Sequence, residues 1–436
     1  MRGESVRRLV LCTLLAIVPA ASEVFAQAIP ATNGRFSLFA HWADRETTDG
    51  FSSDFSELIA KISLYPERNQ TSSFEFGLDA RVATYPGVEG RDERISIYEG
   101  WIGLRGADGR WRLRLGQMWL HELGGLGQVG GLFGEYSFRN LPLRVGLFAG
   151  LEPEIRDTGY VDGVEKAGAY LAVDAAHGRR HVLGWVRLEN ESLTERSVVV
   201  FTNYIPVGRS FFLYQALEYD LEGPAGLGED ELSYLFGNLR YRPVRFFEFQ
   251  GTYHRGRSID TRSITDDVLE GRPVDPRLLE GLLFESARIR LSVLPWRGVR
   301  IWGSYGRDRN NRDEVWNDRI GYGFFLNDLG GVGFDLAASI QETDRADGSY
   351  DTTYLSLGKS IGRRLYLSVD YIDSLSVFYF GDGDGGFVEV RPESERYALS
   401  INCNLSRSFS LLVVGEWMDH DDFEELRVLT GLTVRF

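Results

Sequence analysis

Histidine is the side chain that most often moves protons at neutral pH, and this chain of 436 residues carries six: His41, His121, His177, His181, His254 and His420. A Ser/His hydrolase needs one of them within hydrogen-bond reach of its nucleophile. None lies in a nucleophile motif. His420-Asp421-Asp422 has the composition of an acid and histidine protease pair, although a solvated charge run is the commoner cause of that pattern. Asp382 and Asp384, within Gly381-Asp382-Gly383-Asp384-Gly385-Gly386, offer hard oxygens to calcium. The third carboxylate and the distal glutamate of an EF-hand are missing, so the run reads as a flexible turn. No phosphate-binding glycine loop, zinc spacing or dinucleotide fingerprint occurs. The sequence predicts no catalytic residue, no metal and no cofactor.

What does recur is charge at every second position. Glu75, Asp79 and Arg81 interleave with Phe74, Phe76, Leu78, Ala80 and Val82, and Arg288 and Arg290 with Ala287, Ile289, Leu291 and Val293. The same alternation sends Glu99, Arg112, Arg114, Arg144, Arg300 and Asp335 to the polar side. Opposed rows of arginine and carboxylate in a water-filled passage set up a transverse field that orders water and selects small polar solutes. The alternation is equally compatible with solvated groups that pair with one another and select nothing.

A period of two belongs to strands, and the chain ends on one. Leu426, Val428, Thr430, Leu432, Val434 and Phe436 form one face, and Arg427, Leu429, Gly431, Thr433 and Arg435 the other. A chain end frays unless it is tied down; in a closed sheet the last strand pairs with the first, whose apolar face is Phe36, Leu38, Ala40 and Trp42. Past the N-terminal segment no stretch is apolar enough for a transmembrane helix, and a bilayer otherwise admits only closed barrels. Short links with the Gly, Pro, Asn and Asp of tight turns, as at residues 106–109, alternate with longer polar ones such as 44–54, 152–165, 257–283 and 376–393. The fold expected is all-β: a closed antiparallel up-and-down transmembrane barrel of about 22 strands, with 18 or 20 if neighbouring segments merge, and no plug domain. A periplasmic sandwich, propeller or β-helix would show a family repeat beyond the hairpin. Trp101, Trp111, Trp185, Trp296, Trp302, Tyr305, Trp316 and Trp417 fall near strand ends and read as interfacial girdles; Tyr170, Tyr234 and Tyr354 are candidates for the inner face.

Arg2, Arg7 and Arg8 precede an apolar run from Leu9 to Ala21, and Ala26 supplies a small residue before Gln27. This predicts a cleaved signal peptide over residues 1–26 and one barrel domain over 27–436. Its removal leaves Cys403 alone, unable to close an intrachain disulfide. It also leaves 45 basic against 61 acidic side chains, a net charge of −16, which argues against nucleic acid as a partner.

The terminal strand ending in Phe436 resembles the C-terminal strand of bacterial outer-membrane proteins, which the barrel-assembly machinery recognises. Tyr98-Glu99-Gly100-Trp101-Ile102-Gly103-Leu104-Arg105-Gly106, a tight turn, then Trp111-Arg112-Leu113-Arg114-Leu115-Gly116-Gln117 resembles a hairpin of Gram-negative porins. In that family the following loop folds inward and narrows the channel. Here the corresponding residues 120–131 are short and glycine-rich and lack the family's acidic cluster, so a glycine-rich external turn is the alternative. The resemblance implies an outer-membrane channel for passive diffusion or export of small hydrophilic solutes, with lipid, lipopolysaccharide and the assembly machinery as partners. A non-conducting structural or assembly component of the envelope is the second expectation, and a barrel-borne hydrolase the third.

Overall fold

The computed structural model describes residues 32–66, 73–88, 90–154, 158–191, 193–224, 231–312, 315–329, 331–345, 348–381 and 387–436. The expected signal peptide and the Asp382 and Asp384 turn lie outside them. The strands, in chain order, are β1 (Thr32–Thr47), β2 (Ser52–Pro66), β3 (Phe74–Thr84), β4 (Arg94–Arg105), β5 (Trp111–Trp119), β6 (Gln128–Ser137), β7 (Leu143–Pro153) and β8 (Tyr160–Ala175). They continue through β9 (Arg179–Asn190), β10 (Leu193–Val207), β11 (Phe211–Glu222), β12 (Glu231–Val244), β13 (Phe247–Ser258), β14 (Leu282–Val293), β15 (Val299–Asn310) and β16 (Asn317–Leu329). The last are β17 (Phe334–Arg345), β18 (Gly348–Ile361), β19 (Leu365–Gly381), β20 (Phe387–Val390), β21 (Glu393–Asn404), β22 (Phe409–His420) and β23 (Phe423–Arg435). Both β20 and β21 pair with β19, and only Arg391 and Pro392 separate them, so they are two pieces of one crossing. The 23 strands therefore make a barrel of 22 crossings.

Each crossing pairs antiparallel with its sequence neighbours, and β1 pairs with β23 from Arg35 opposite Arg435 to Thr47 opposite Phe423. The seam is completed by Gly34 N–H donating to the Phe436 carbonyl at 2.8 Å and Phe436 N–H donating to the Gly34 carbonyl at 3.1 Å. A side chain at residue 34 would meet the Phe436 ring, the nearest ring carbon lying 2.0 Å from its Cβ position, so glycine lets the terminal aromatic lie across the seam. Closure gives every described crossing a neighbour on each side.

The alternation resolves into two faces. Ile102, Leu104, Leu113, Leu115, Leu132, Leu147, Leu171, Leu183, Ile289, Leu291 and Ile301 all stand exposed on the outer surface. Among the described residues no second layer covers this belt, as lipid-facing strands require and a sandwich does not allow. β1 begins and β23 ends at the same end of the barrel, called here the terminal end. The links at the far end are not uniformly long, contrary to the expectation for 44–54 and 376–393. Asp44 pairs with Asp54, and Glu46 with Ser52, leaving a four-residue turn; β19 likewise runs on to Gly381. Charged residues end a strand in lipid but not in water, where the backbone ladder carries on beyond the bilayer. The 23 residues between β13 and β14 do form a long link, with α1 (Thr261–Leu269) and α2 (Pro276–Glu280) inside it. Among the described residues no separate domain fills the barrel.

Candidate functional site

The inner face of β3 to β9 carries a continuous chain of opposite charges. Glu75, on β3 and buried, is 3.3 Å from the Arg112 guanidinium, 3.8 Å from that of Arg114 and 3.9 Å from that of Arg105. Arg112 also reaches Glu135 on β6 at 3.7 Å, and Glu135 pairs with Arg144 on β7 at 2.5 Å. Arg144 continues to Asp174 on β8 at 2.6 Å and to Glu122 at 3.1 Å, and Arg180 on β9 donates to Glu122 at 2.8 Å. Beside the chain, Asp79 accepts from Ser63 at 3.1 Å and lies 3.3 Å from Lys61, and Arg81 donates to Glu57 at 3.0 Å. Glu99 sits opposite Asp79 in the β3–β4 register and accepts from the Trp101 indole at 3.2 Å.

Glu122 belongs to the link between β5 and β6, a distorted 3-10 turn over His121–Gly127. It starts at the far end yet reaches Arg144 and Arg180, which stand near the terminal-end starts of their strands, so the link folds down inside the barrel. Of the two expectations for residues 120–131, the inward loop is the one the structure has. Its acid is the single Glu122 rather than a cluster. Leu123, fully buried, points at Gly184 on β9, where a Cβ would lie 2.3 Å from its methyl. Leu123 joins Trp101, Met118, Val129, Phe133, Phe148, Val164, Tyr170, Val182, Val186 and Leu188 in a packed cluster on the inner side of β4 to β9. Among these is Trp101, which the girdle reading placed in the membrane interface; the register puts it opposite Gly77 and Gly116 on the inner face, under the Arg114 guanidinium at 3.9 Å. Trp302 turns inward too, 4.5 Å beneath Arg290. Tyr170 faces inward as expected and donates to Glu135 at 2.5 Å.

The opposite wall is differently charged. Arg288 donates to the Ser304 hydroxyl at 3.3 Å and Arg290 stacks on Trp302; among the described residues neither has a carboxylate in salt-bridge range. Arg300 lies 3.7 Å from Glu248. Asp335 stands at the start of β17 and accepts the backbone N–H of Asp328 at 2.9 Å, which ties it to a terminal-end turn. The eleven charges expected to share one polar side thus separate into a paired network around Glu75 and Arg144, an arginine pair at Arg288 and Arg290, and peripheral members. Sequence reasoning missed Glu122, Glu135, Asp174 and Arg180, and the apolar cluster beside them. The signal for the cluster was present: Val145-Gly146-Leu147-Phe148-Ala149-Gly150-Leu151 is apolar on both faces, the pattern of a strand covered on both sides.

Of the histidines, His181 shares a hydrogen bond of 2.7 Å with Asn203. At His420 the ring nitrogen accepts the backbone N–H of Asp422 at 3.1 Å, which closes a turn. Among the described residues no group of three or more His, Cys, Asp or Glu is placed to hold a metal.

With an apolar exterior and charged inner walls, the chain is a closed antiparallel β-barrel of 22 crossings. No family model matches it, and no curated protein matches it. Among solved structures it is similar to Pseudomonas aeruginosa OpdQ, at 11% identity and a TM-score of 0.45, over 94% of this chain and 100% of that one. It is similar to Acinetobacter baumannii OccAB4 at 10% and 0.44, over 94% and 100%, and to P. aeruginosa OccK5 (OpdH) at 11% and 0.45, over 94% and 99%. Likeness of this degree carries no residue correspondence and no solute.

Proposed function

We propose that the protein is an outer-membrane channel for the passive diffusion or export of small hydrophilic solutes. The observation that carries this reading is the segregation of side chains on a closed sheet: an uncovered aliphatic belt outside, and arginines and carboxylates inside. Twenty-two crossings about 4.8 Å apart and tilted by about 40° set a cylinder roughly 44 Å across, wider than its own side chains fill. The lining in this reading comprises Glu75, Asp79, Arg81, Glu99, Arg112, Arg114, Arg144, Arg288, Arg290, Arg300 and Asp335, with the loop carrying Glu122 narrowing the passage. Discrimination is by size and charge, with no catalytic step and no cofactor. The terminal end faces the periplasm, residues 1–26 are a cleaved signal peptide, residues 27–436 are the barrel domain, and Phe436 marks the strand for the assembly machinery. The outer belt meets lipid and lipopolysaccharide. A non-conducting structural role draws on the apolar cluster, which fills the inner side of β4 to β9. Planar-bilayer recording of the refolded protein separates the two: stepwise conductance is expected, and a sealed bilayer at saturating protein refutes the channel.

A further inference from the structure

Near the far end, under the link that carries α1 and α2, the inner wall of β10 to β14 borders a half-open cavity of about 530 Å³, within the range of small-ligand sites. None of the eleven charges above lines it. Two features define its chemistry.

The first is a wall of rings. Tyr234 on β12, His254 on β13 and Phe284 on β14 share the inner face by register, with centroids 5.3 Å apart for the first pair and 5.7 Å for the second. Gly256 stands opposite both Tyr234 and Phe284 and so leaves ring surface uncovered between them. The second is a set of hydrogen-bonding groups in which Glu218, Asp220 and Glu222 face Arg196 and Arg257, a balance on the acidic side. Arg196 donates through Nε to Asp220 at 2.8 Å, and through Nη2 to Glu218 at 3.1 Å and to the Ser233 hydroxyl at 3.0 Å. Each of these two carboxylates thus gives one oxygen to Arg196 and keeps another, and Arg196 keeps Nη1. Arg257 is neutralised by Glu231 and donates to the Glu280 carbonyl at 2.9 and 3.0 Å, which fastens the α2 end of the roof to the wall. The α1 end is fastened across the mouth by Arg262 to Glu195 at 3.4 Å and by Asn190 to Asp266 at 3.3 Å, with Ile264 fully buried.

A free anion meets three carboxylates here, and a free cation meets two guanidiniums, with Glu218 and Asp220 already held by Arg196, so a ligand that presents hydroxyls rather than charge suits both sets of groups. The rings demand that it present an apolar face, and the spare carboxylate oxygens and guanidinium N–H groups demand a dense array of hydroxyls at its edge. We infer that this cavity binds a neutral mono- or disaccharide, with a pyranose face against Tyr234 and Phe284 and its hydroxyls on Glu218, Asp220 and Arg196. The inference rests on the channel reading and names a solute class for it: the vestibule holds a sugar before passage between the charged walls.

The test uses the full barrel refolded into a planar bilayer, with maltose as the probe and potassium gluconate and glucosamine hydrochloride as charged comparators. Maltose is expected to interrupt the open-channel current with a saturable concentration dependence, at lower concentration than either comparator. Tyr234→Ala, which leaves both ion pairs intact, and Glu218→Gln are each expected to raise the half-saturating maltose concentration at least tenfold, each read against its own sugar-free current. Steps of conductance without saturable maltose interruption, or with half-saturation unmoved in both variants, overturn the saccharide site and leave the channel standing. Absence of conductance instead removes the channel reading; calorimetric titration of the same protein in detergent then decides the cavity alone, with loss of maltose heat in Tyr234→Ala expected and equal heats overturning it.

Discussion

Leu123→Ala isolates the anchoring of the inward loop from the rest of the barrel. Leu123 is fully buried, its methyl packed at Gly184, and it lies next to Glu122, whose two ion pairs survive the substitution. Buried Leu→Ala changes cost about 2–5 kcal/mol. The lower part of that range applies here because a short loop can shift to fill the space. A cost of about 2–3 kcal/mol lowers the ratio of docked to undocked loop by roughly 30- to 140-fold. The ladder bonds of β5 and β6 do not depend on Leu123, so the barrel itself should still form. Single-channel recording in symmetrical salt should therefore show a larger or visibly noisier open level than the wild type, with unchanged migration of the folded band on unheated gels. An open level and noise spectrum identical to the wild type, in a protein whose folded band is intact, would refute the idea that this loop constricts the passage.

Further outcomes follow from other parts of the wall. Arg288→Gln with Arg290→Gln removes the two cations that lack acidic partners, and should shift the reversal potential under a salt gradient toward cation preference, by a few-fold in permeability ratio; an unmoved potential excludes them from the lining. Lys166→Met leaves Glu152 without its 2.6 Å partner beside a nearly fully buried position, and removal of one member of a buried pair costs about 3–5 kcal/mol; urea unfolding in lipid vesicles should show the loss, and an unchanged midpoint would mean the site is hydrated. Gly34→Val places branched carbons where the Phe436 ring lies, so the yield of heat-modifiable folded barrel should fall sharply. Gly34→Val combined with Phe436→Ala should recover part of that yield, and no recovery would show that the clash is not the cause.

The alternation in β3, β14 and β23 was legible because strand geometry is local: successive side chains point to opposite faces whatever the rest of the chain does. Turn glycines such as Gly109, with φ of 70°, were readable for the same reason. Trp101 and Trp302 were misplaced because closeness to a strand end along the sequence does not say which face a ring takes. The long far-end links were overestimated at 44–54 because charge marks where lipid stops, whereas hydrogen bonding between strands carries on.

Sequence alone thus determined that the chain alternates, that its last strand is fit to meet its first, and that many strands carry charge on one face. Tertiary structure decided which charges meet. Glu122 reaches Arg144 and Arg180 only because a loop turns inward, and Arg196 meets Asp220 and Glu218 only because the register of β10, β11 and β12 aligns them. Periodicity is a property of neighbours along the chain. Pairing across strands depends on register and closure, which the barrel sets as a whole.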